Sequence, residues 1–330
     1  MDPQAPRVVP AREYKGDLLE RLVALRNALK AREEALPPAW PEDAFREIRE
    51  GNYLAWVLLR GGIGAGMVVL ALRNGRAYGH IHLEDPAATE AERDALLEAV
   101  RRGVPPPVRR CDITVSTPDP ETEARWMDAL AARTDWKAIR RQRMVRPLEL
   151  EDPPGSTPLP PGFRFAKVTL VPQGDLARLD WEAFRDGPDA AMVAESVEEN
   201  RRLLEGLLRG DLGAPIPDAS PAVLTLESGA HGPGGSLAGF ALTLEQTPRR
   251  ALLADIAIHP RFRRQHLGEA LLRRTLRGLL ALGFREVSLW VTEANGPART
   301  LYEKLGFRRD LSTAILRWER GEPGTSPRTP

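Results

Sequence analysis

Two segments in the last quarter of this 330-residue chain combine side chains whose types and spacing suit chemistry. The first is His259-Pro260-Arg261-Phe262-Arg263-Arg264-Gln265-His266-Leu267-Gly268-Glu269-Ala270, which follows the short apolar run Ile256-Ala257-Ile258 and opens an apolar helix. The first N–H groups of a helix lack acceptors within it and carry the positive end of its dipole. A pyrophosphate meets both conditions. Gly268 lets the backbone approach a phosphate where a Cβ would intrude, and Ala270 keeps the first turn thin. Arg263 and Arg264 can add charge-assisted hydrogen bonds. Taken alone, the same residues also fit a solvated basic turn. The second segment is Asn295-Gly296-Pro297-Ala298-Arg299-Thr300-Leu301-Tyr302-Glu303-Lys304-Leu305-Gly306-Phe307. Pro297 suits a first helical turn and Asn295 its cap. Ala298 and Tyr302, four apart, share a helix face just below Asn295, and Gly306 ends the helix. Taken alone, this is a well-capped structural helix with a half-buried tyrosine.

Together the two segments are more specific. Gln265-x-x-Gly268-x-Ala270 after a strand resembles the acyl-CoA pyrophosphate motif of the GNAT superfamily (Gcn5-related N-acetyltransferases). The run from Asn295 to Phe307 is similar to that superfamily's other hallmark, in the right order and separated by one helix and one strand. The resemblance covers residues 163–320. It implies acetyl-CoA as acyl donor, no metal, and transfer to a primary amine by direct attack in a ternary complex. It carries donor-binding roles onto Ile256, Ala257, Ile258, Arg263, Arg264, Gln265, His266, Leu267, Gly268, Glu269, Ala270, Asn295, Ala298 and Tyr302. His266 departs from the pattern, which often has glycine there; it can crowd the diphosphate or add a hydrogen bond.

Acyl transfer to an amine needs a neutral nucleophile, a donor to the oxyanion and a proton for the departing thiolate. An amine with a pKa of about 10.4 is mostly charged at neutral pH, so a base or a desolvating site helps. A phenol is protonated at that pH, and by resemblance Tyr302 sits beside the CoA sulfur as the acid. The resemblance also has the strand through Ile258 splay from its neighbour, with the N–H of Ile258 or a nearby residue holding the thioester carbonyl. Asp255, on that strand, is the candidate base, directly or through water; a structural strand-edge aspartate fits it equally. Glu245 is a weaker candidate, and His259 shapes the turn before Pro260.

The elements that must position these groups are readable from periodicity. In the second half, helices are expected over 173–185 and 190–208, and strands over 222–226, 237–244 and 252–258. A helix over 268–282, a strand over 286–291, a helix over 297–305 and a strand over 312–318 follow. The resemblance places the acceptor pocket around Trp181–Phe184 and Met192–Asn200, stretches that also read as amphipathic core helices. The first half repeats the order. Leu18, Leu19, Leu22, Leu25 and Leu29 line one helix face,. Strands follow over 53–59, 67–72 and 77–83, with Asn74-Gly75 as a hairpin turn. A helix over 89–101, a strand over 111–115, a helix over 120–133 and a strand over 137–145 complete it. Pro86 and Pro260 both end a strand, and Ala95-Leu96-Leu97 parallels Ala270-Leu271-Leu272.

The fold class expected is therefore α/β (α+β): two tandem GNAT-like domains, each a mixed, mainly antiparallel sheet flanked by helices. Residues 1–152 form a degenerate, non-catalytic copy, 153–162 a proline-rich linker, 163–320 the catalytic domain and 321–330 a disordered tail. In the first copy, Glu90 and Glu92 replace the basic residues, Arg93 falls where Gly268 would be, and Arg125 and Trp126 lie near the tyrosine position. His80, His82 and Glu84 alternate on one strand face with no fourth ligand, so a polar strand face is favoured over a metal site.

Composition limits the alternatives. Apolar residues make up 42% and charged residues 28%, with 47 basic against 46 acidic side chains and net charge +1. No global pull toward nucleic acid or anionic lipid results. One cysteine, Cys111, allows no internal disulfide. No apolar run reaches the ~18 residues of a membrane helix, and the start, Met1-Asp2-Pro3-Gln4, lacks a secretory pattern. A cytoplasmic setting and a monomer or homodimer are expected. The partner is a small-molecule or peptide amine, not nucleic acid and not membrane. Competing readings are a non-catalytic acyl-CoA-binding or regulatory protein, and a mycothiol-synthase-like tandem acetyltransferase.

Overall fold

The structure, a computed structural model, describes residues 6–22, 48, 50–73, 75–83, 89–115, 135–149, 156–226 and 235–320. The expectations for Leu25, Leu29, Asn74, Glu84, Pro86, the helix over 120–133, residues 153–155 and the tail lie outside these residues. Packing divides the chain into two compact units, residues 1–140 with 312–330, and residues 141–311.

In unit 1 the strands are β1 (Arg7–Pro10), β2 (Leu54–Arg60), β3 (Ile63–Arg73), β4 (Arg76–Leu83) and β5 (Arg110–Val115), with helix α1 (Glu90–Gly103) between β4 and β5. They are hydrogen-bonded in that order, antiparallel except for the parallel pair β4–β5. The turn after residue 74 places Gly75 at φ 73°, as a tight hairpin requires,. The next strand on β5 is supplied by β12 (Arg308–Glu319), from the far end of the chain, paired antiparallel from Ala314↔Val115 to Glu319↔Arg110. Ala314, Leu316 and Trp318 join Leu58, Val68, Leu70, Leu96, Leu97 and Val100 in one core. On the opposite face of the strand, Arg317 clamps Asp112 of β5 with bonds of 2.7 and 3.0 Å. Cys111 is buried in the core, and burial, reinforced by Asp112, pushes its thiol up to about 12, far from a nucleophile's range,.

Unit 2 repeats the plan. Its strands are β7 (Phe163–Lys167), β8 (Pro221–Thr225), β9 (Leu237–Thr247), β10 (Arg250–Ile258) and β11 (Glu286–Thr292). Its helices are α2 (Gln173–Phe184), α3 (Val197–Arg209), α4 (Leu267–Ala281) and α5 (Gly296–Lys304). Again all neighbours are antiparallel except one pair, β10–β11. The outer partner of β11 comes from the preceding half of the chain: β6 (Trp136–Pro147), paired from Glu286↔Pro147 to Thr292↔Arg141. The last strand of each sequence half thus completes the other unit's sheet. The packing boundaries accordingly differ from the proline-rich segment. Residues 156–162 lie within unit 2, where Leu159 packs beside Phe163 and Phe165. β1 and β7 were not expected from periodicity; both are short, at 4 and 5 residues.

Helix α4 lays Leu272, Leu276 and Leu279 against Ala241, Ala251 and Leu253 on one face of the sheet. On the other, Leu176, Leu179 and Ala183 of α2 and Leu204 of α3 pack on Phe240, Leu242 and Ala257. Each buried leucine contributes about 1.5–3 kcal/mol, so both helix layers are firmly fixed to β10, the strand between them. The helix expected over 190–208 begins only at Val197. Ser196 accepts from the Glu199 N–H at 3.2 Å and starts it there, while residues 190–192 form a single 3₁₀ turn,. The loop this leaves carries Asp189 toward the site.

Candidate active site

β10 and β11 pair only from Arg250↔Glu286 to Leu253↔Leu289. Beyond that the strands splay, and Asp255–Ile258 hydrogen-bond only toward β9. A register shift in β10 between Leu253 and Asp255 marks a bulge, which re-aims the strand at this point. Asp255 and Ala257 pair with Leu242 and Phe240 and so face the α2 side, while Ile256 and Ile258 pack toward α4.

Asp255 meets a second acid. Asp180 of α2 is 8% exposed and hydrogen-bonds Asp255. Asn200 of α3 fixes Asp180, donating to its Oδ2 at 2.8 Å and to the Ala177 carbonyl at 3.0 Å. Burial raises the pKa of both acids. Asp255 is raised well above the carboxylate range, by burial first and then by the Asp180 charge and hydrogen bond, with Asp189 adding to it. Two carboxyls this close cannot both ionise. Asp255 keeps the shared proton and donates it to Asp180.

Tyr302 of α5 is buried, with its ring 5.8 Å from that of Phe307. Burial first, then Asp189 and Asp255, hold its phenol protonated well above the usual range, while Arg141 pulls the other way. Asn295 caps α5 as expected, its Oδ1 accepting from the Ala298 N–H at 3.2 Å. Its Nδ2 donates to Asp189 Oδ2 at 2.6 Å. Arg141, on β6 opposite Thr292, donates to the Trp290 carbonyl at 3.2 Å. Tyr302, Asp255 and Asn295 are thus linked in one cluster with Asp180, Asp189, Asn200 and Arg141. Asp180 and Asn200 left a readable signal, because each is a polar residue on a buried helix face. Asp189 and Arg141 left none. Glu245 pairs with Ala251, three residues along β9 from the partner of Asp255.

The turn before α4 has the geometry of an anion cradle. The N–H of Ala270 is the first bonded within the helix, to the His266 carbonyl at 3.0 Å. Those of Leu267, Gly268 and Glu269 have no acceptor there, and the N-cap His266 supplies no side-chain bond,. Arg264 and His266, on either side of Gln265, hold φ of 64° and 58°. Such left-handed backbone costs a non-glycine residue about 1–2 kcal/mol, which explains why glycine suits position 266. Arg263 donates to the Ala183 carbonyl, tying the turn to the end of α2. His259 accepts from the Arg261 N–H at 3.2 Å and lies 3.2 Å from Glu182, so it shapes the turn. The Glu269 carboxylate is held by Lys304 at 2.7 Å and Arg273 at 3.1 Å and is lowered in pKa, the Lys304 bond first. Leu267 and Ala270 are buried and Ala298 packs against the core, whereas Ile256 and Ile258 are half-buried.

A Cβ added at Gly268 would meet Leu301 Cδ2 at 3.5 Å and Ile258 Cγ1 at 3.8 Å, ordinary contacts. Packing therefore gives no reason for glycine there. Gly268→Ala is expected to melt at or slightly above the native temperature, since alanine favours a helix by about 0.5–1 kcal/mol, yet to bind acetyl-CoA at least about tenfold more weakly by calorimetry. A variant that binds as well as the native protein would remove the cradle. His266→Gly trades relief of the left-handed strain against glycine's chain entropy, so its melting point stays within about 2 °C. Its acetyl-CoA affinity is expected to equal or exceed the native value; a tenfold loss would instead assign the imidazole a hydrogen bond to the ligand.

Among the described residues no group of three or more histidine, cysteine, aspartate or glutamate side chains is arranged to hold a metal. No described helix is long and apolar enough to cross a membrane.

Residues 180–307 match the family described as Acetyltransferase (GNAT) family. A stretch of 73 residues, 22% of this chain, is 40% identical to the [Ribosomal protein bS18]-alanine N-acetyltransferase of Escherichia coli strain K12 and spans 49% of that relative, about half its length. In fold, a GCN5-related N-acetyltransferase from Sphaerobacter thermophilus aligns with TM-score 0.60 and 18% identity over 97% of this chain and 96% of that one. A tandem GNAT protein from the clavulanic acid biosynthesis pathway aligns with TM-score 0.56 and 20% identity over 96% and 99%. The fold is thus mixed α/β of the tandem GNAT kind, with mainly antiparallel strands flanked by helices. The match to the GNAT acetyltransferase family is a property of residues 180–307, 128 of the chain's 330 residues.

Proposed function

We propose that unit 2 is an acyl-CoA-dependent N-acyltransferase that moves an acetyl group from acetyl-CoA to a primary amine by direct attack in a ternary complex. The observation that carries this reading is the convergence at the splay of β10 and β11. A buried, protonated phenol and a proton-sharing acid pair lie there beside a helix start whose N–H groups have no acceptor within the helix. The free N–H groups of Leu267, Gly268 and Glu269 take the pyrophosphate, with Arg264 and Gln265 on the same turn. The unpaired edge through Ile256, Ala257 and Ile258 receives the pantetheine arm and holds the thioester oxygen. The amine gives its proton to Asp255 as its nitrogen bonds to the carbonyl carbon, and Asp255 passes its own proton on to Asp180. When the C–S bond breaks, Tyr302 protonates the thiolate.

Among the described residues of unit 1 no helix start matches that cradle, and we read the unit as a non-catalytic copy. The start of α1 is capped from within: Thr89 accepts from the Glu92 N–H at 3.3 Å, and Glu92 accepts from the Thr89 N–H at 2.8 Å. Arg60 holds the Glu92 carboxylate with bonds of 2.8 and 3.0 Å. A phosphate would meet a carboxylate where α4 offers bare N–H groups.

The acceptor class is a primary amine. The amino terminus of a peptide is the first candidate, because the bacterial relative acts on an alanine. Thiol release from acetyl-CoA in the presence of an alanine-starting peptide, a lysine peptide, glucosamine and spermine tests the reading. Release with at least one amine, matched by its acetylated product in the mass spectrum, is expected; tight binding of acetyl-CoA with no release under any of them would instead favour a non-catalytic acyl-CoA-binding protein.

A further inference from the structure

A phenol as buried as that of Tyr302 is a reluctant acid. A thiol titrates near 8.5, so handing a proton from this phenol to a thiolate runs uphill unless the tyrosinate is stabilised. The carboxyls Asp189 and Asp255 disfavour the tyrosinate further. The opposing charge is Arg141. It lies on β6, 22 residues before the start of β7, yet packs in unit 2. β6 pairs with β11 along Glu286–Thr292, which sets Arg141 opposite Thr292, past the last residue of β11 that pairs with β10. Its Nη2 donates to the carbonyl of Trp290, the first residue of the splayed segment, at 3.2 Å, and its Nε is buried without a hydrogen-bond partner. The guanidinium is therefore anchored at the splay with donor capacity left over.

We propose that Arg141 is a positioning residue that makes Tyr302 competent to protonate the departing thiolate, so that the active site of unit 2 is completed by a strand from the preceding half of the chain. This rests on Tyr302 being the acid in the reaction proposed above. In the step concerned, the C–S bond breaks, its electron pair goes to sulfur, and the O–H proton of Tyr302 passes to that sulfur. The tyrosinate so formed is stabilised by the Arg141 charge until it recovers the proton that the amine gave to the Asp255–Asp180 pair, so that one proton in all passes from the amine to the thiol and both groups are restored. Lysine keeps the charge at this position but not the planar donor set.

The test uses the full chain with acetyl-CoA and an amine from the panel above that supports turnover, comparing Arg141→Gln, Arg141→Lys, Tyr302→Phe and the double variant Arg141→Gln/Tyr302→Phe. Arg141→Gln is expected to lower kcat about tenfold, a part of the 10²–10⁴ that a general acid supplies, with KM for acetyl-CoA within about twofold. Arg141→Lys recovers most of the loss. In the Tyr302→Phe background the Arg141→Gln change has no further effect, because the group it acts through is gone. Equal losses from Arg141→Gln with and without Tyr302, a loss confined to KM, or a lysine variant that melts like the native protein yet is as slow as the glutamine one would each overturn the proposal. Native turnover untouched by Arg141→Gln overturns it alone. A native protein that releases no thiol with any amine overturns the acyltransferase reading and this proposal together.

Discussion

Tyr302→Phe is expected to lower kcat by about 10²- to 10⁴-fold while leaving acetyl-CoA affinity nearly unchanged. The change deletes one oxygen from a ring that remains packed on Phe307 within the unit 2 core. Fold stability should therefore move by less than about 1 kcal/mol. On the proposed reading, donor binding rests on the turn before α4 and the free edge of β10 rather than on the phenol oxygen. The loss should be larger for a donor with a poor thiolate leaving group and smaller for an acetyl thioester of an acidic thiol, which leaves without a proton. Rate measurements with both donors check this. An unchanged kcat would leave Tyr302 as a core aromatic and return the site to simple acyl-CoA binding.

The acid pair gives the second large effect, and it acts on stability with the opposite sign. Asp255→Asn keeps a donor toward Asp180 but cannot relay a proton, so a fall in kcat of about 10²-fold or more is expected. Stability should rise. An unfolded aspartate titrates near 3.9; the folded value of Asp255 is raised, chiefly by burial. Below about pH 4 both states hold the proton. Between there and the raised folded value only the folded state binds it, so stability drains away as pH rises through that window. Asparagine removes this loss, and the melting temperature at pH 7.5 should increase by about 2–4 °C, the shift 1 kcal/mol gives in a domain of this size. In the native protein the proposed relay needs a singly ionised pair, so kcat should fall on acidification at a pH above the ordinary carboxylate range. Asp180→Asn removes the group that takes the relayed proton and should cost about tenfold in rate. A variant at 255 that is both slower and less stable would mean the aspartate is a structural anchor rather than a strained proton carrier.

The parts of this account that were legible in the sequence are those encoded locally. The cradle before α4 follows from Arg263 to Ala270 because a strand, a turn and a helix start are set by near neighbours. The cap at Asn295 follows from one short helix, whereas Tyr302, half-buried on that helix pattern, is buried in the structure. The bulge before Asp255, the 3₁₀ turn at 190–192 and the late start of α3 at Val197 do not, because they answer to the packing of α2 and α3 on β9 and β10. Asp189 reaches Asn295 only through that loop. The exchange of β6 and β12 was the least legible. Alternating side chains identify a strand but not its partner. β6 follows β5 in the chain yet lies on β11, and the place beside β5 goes to β12, pinned there by Arg317 on Asp112. Arg141 was invisible for that reason.

Calorimetric titration of acetyl-CoA into the full chain, beside a Gly268→Glu variant, tests the central claim most directly. One site per chain, abolished by a glutamate placed at the start of α4, is the predicted result. Two sites would contradict the self-capped, non-catalytic reading of unit 1, and no binding to the native protein would contradict the acyltransferase reading of unit 2.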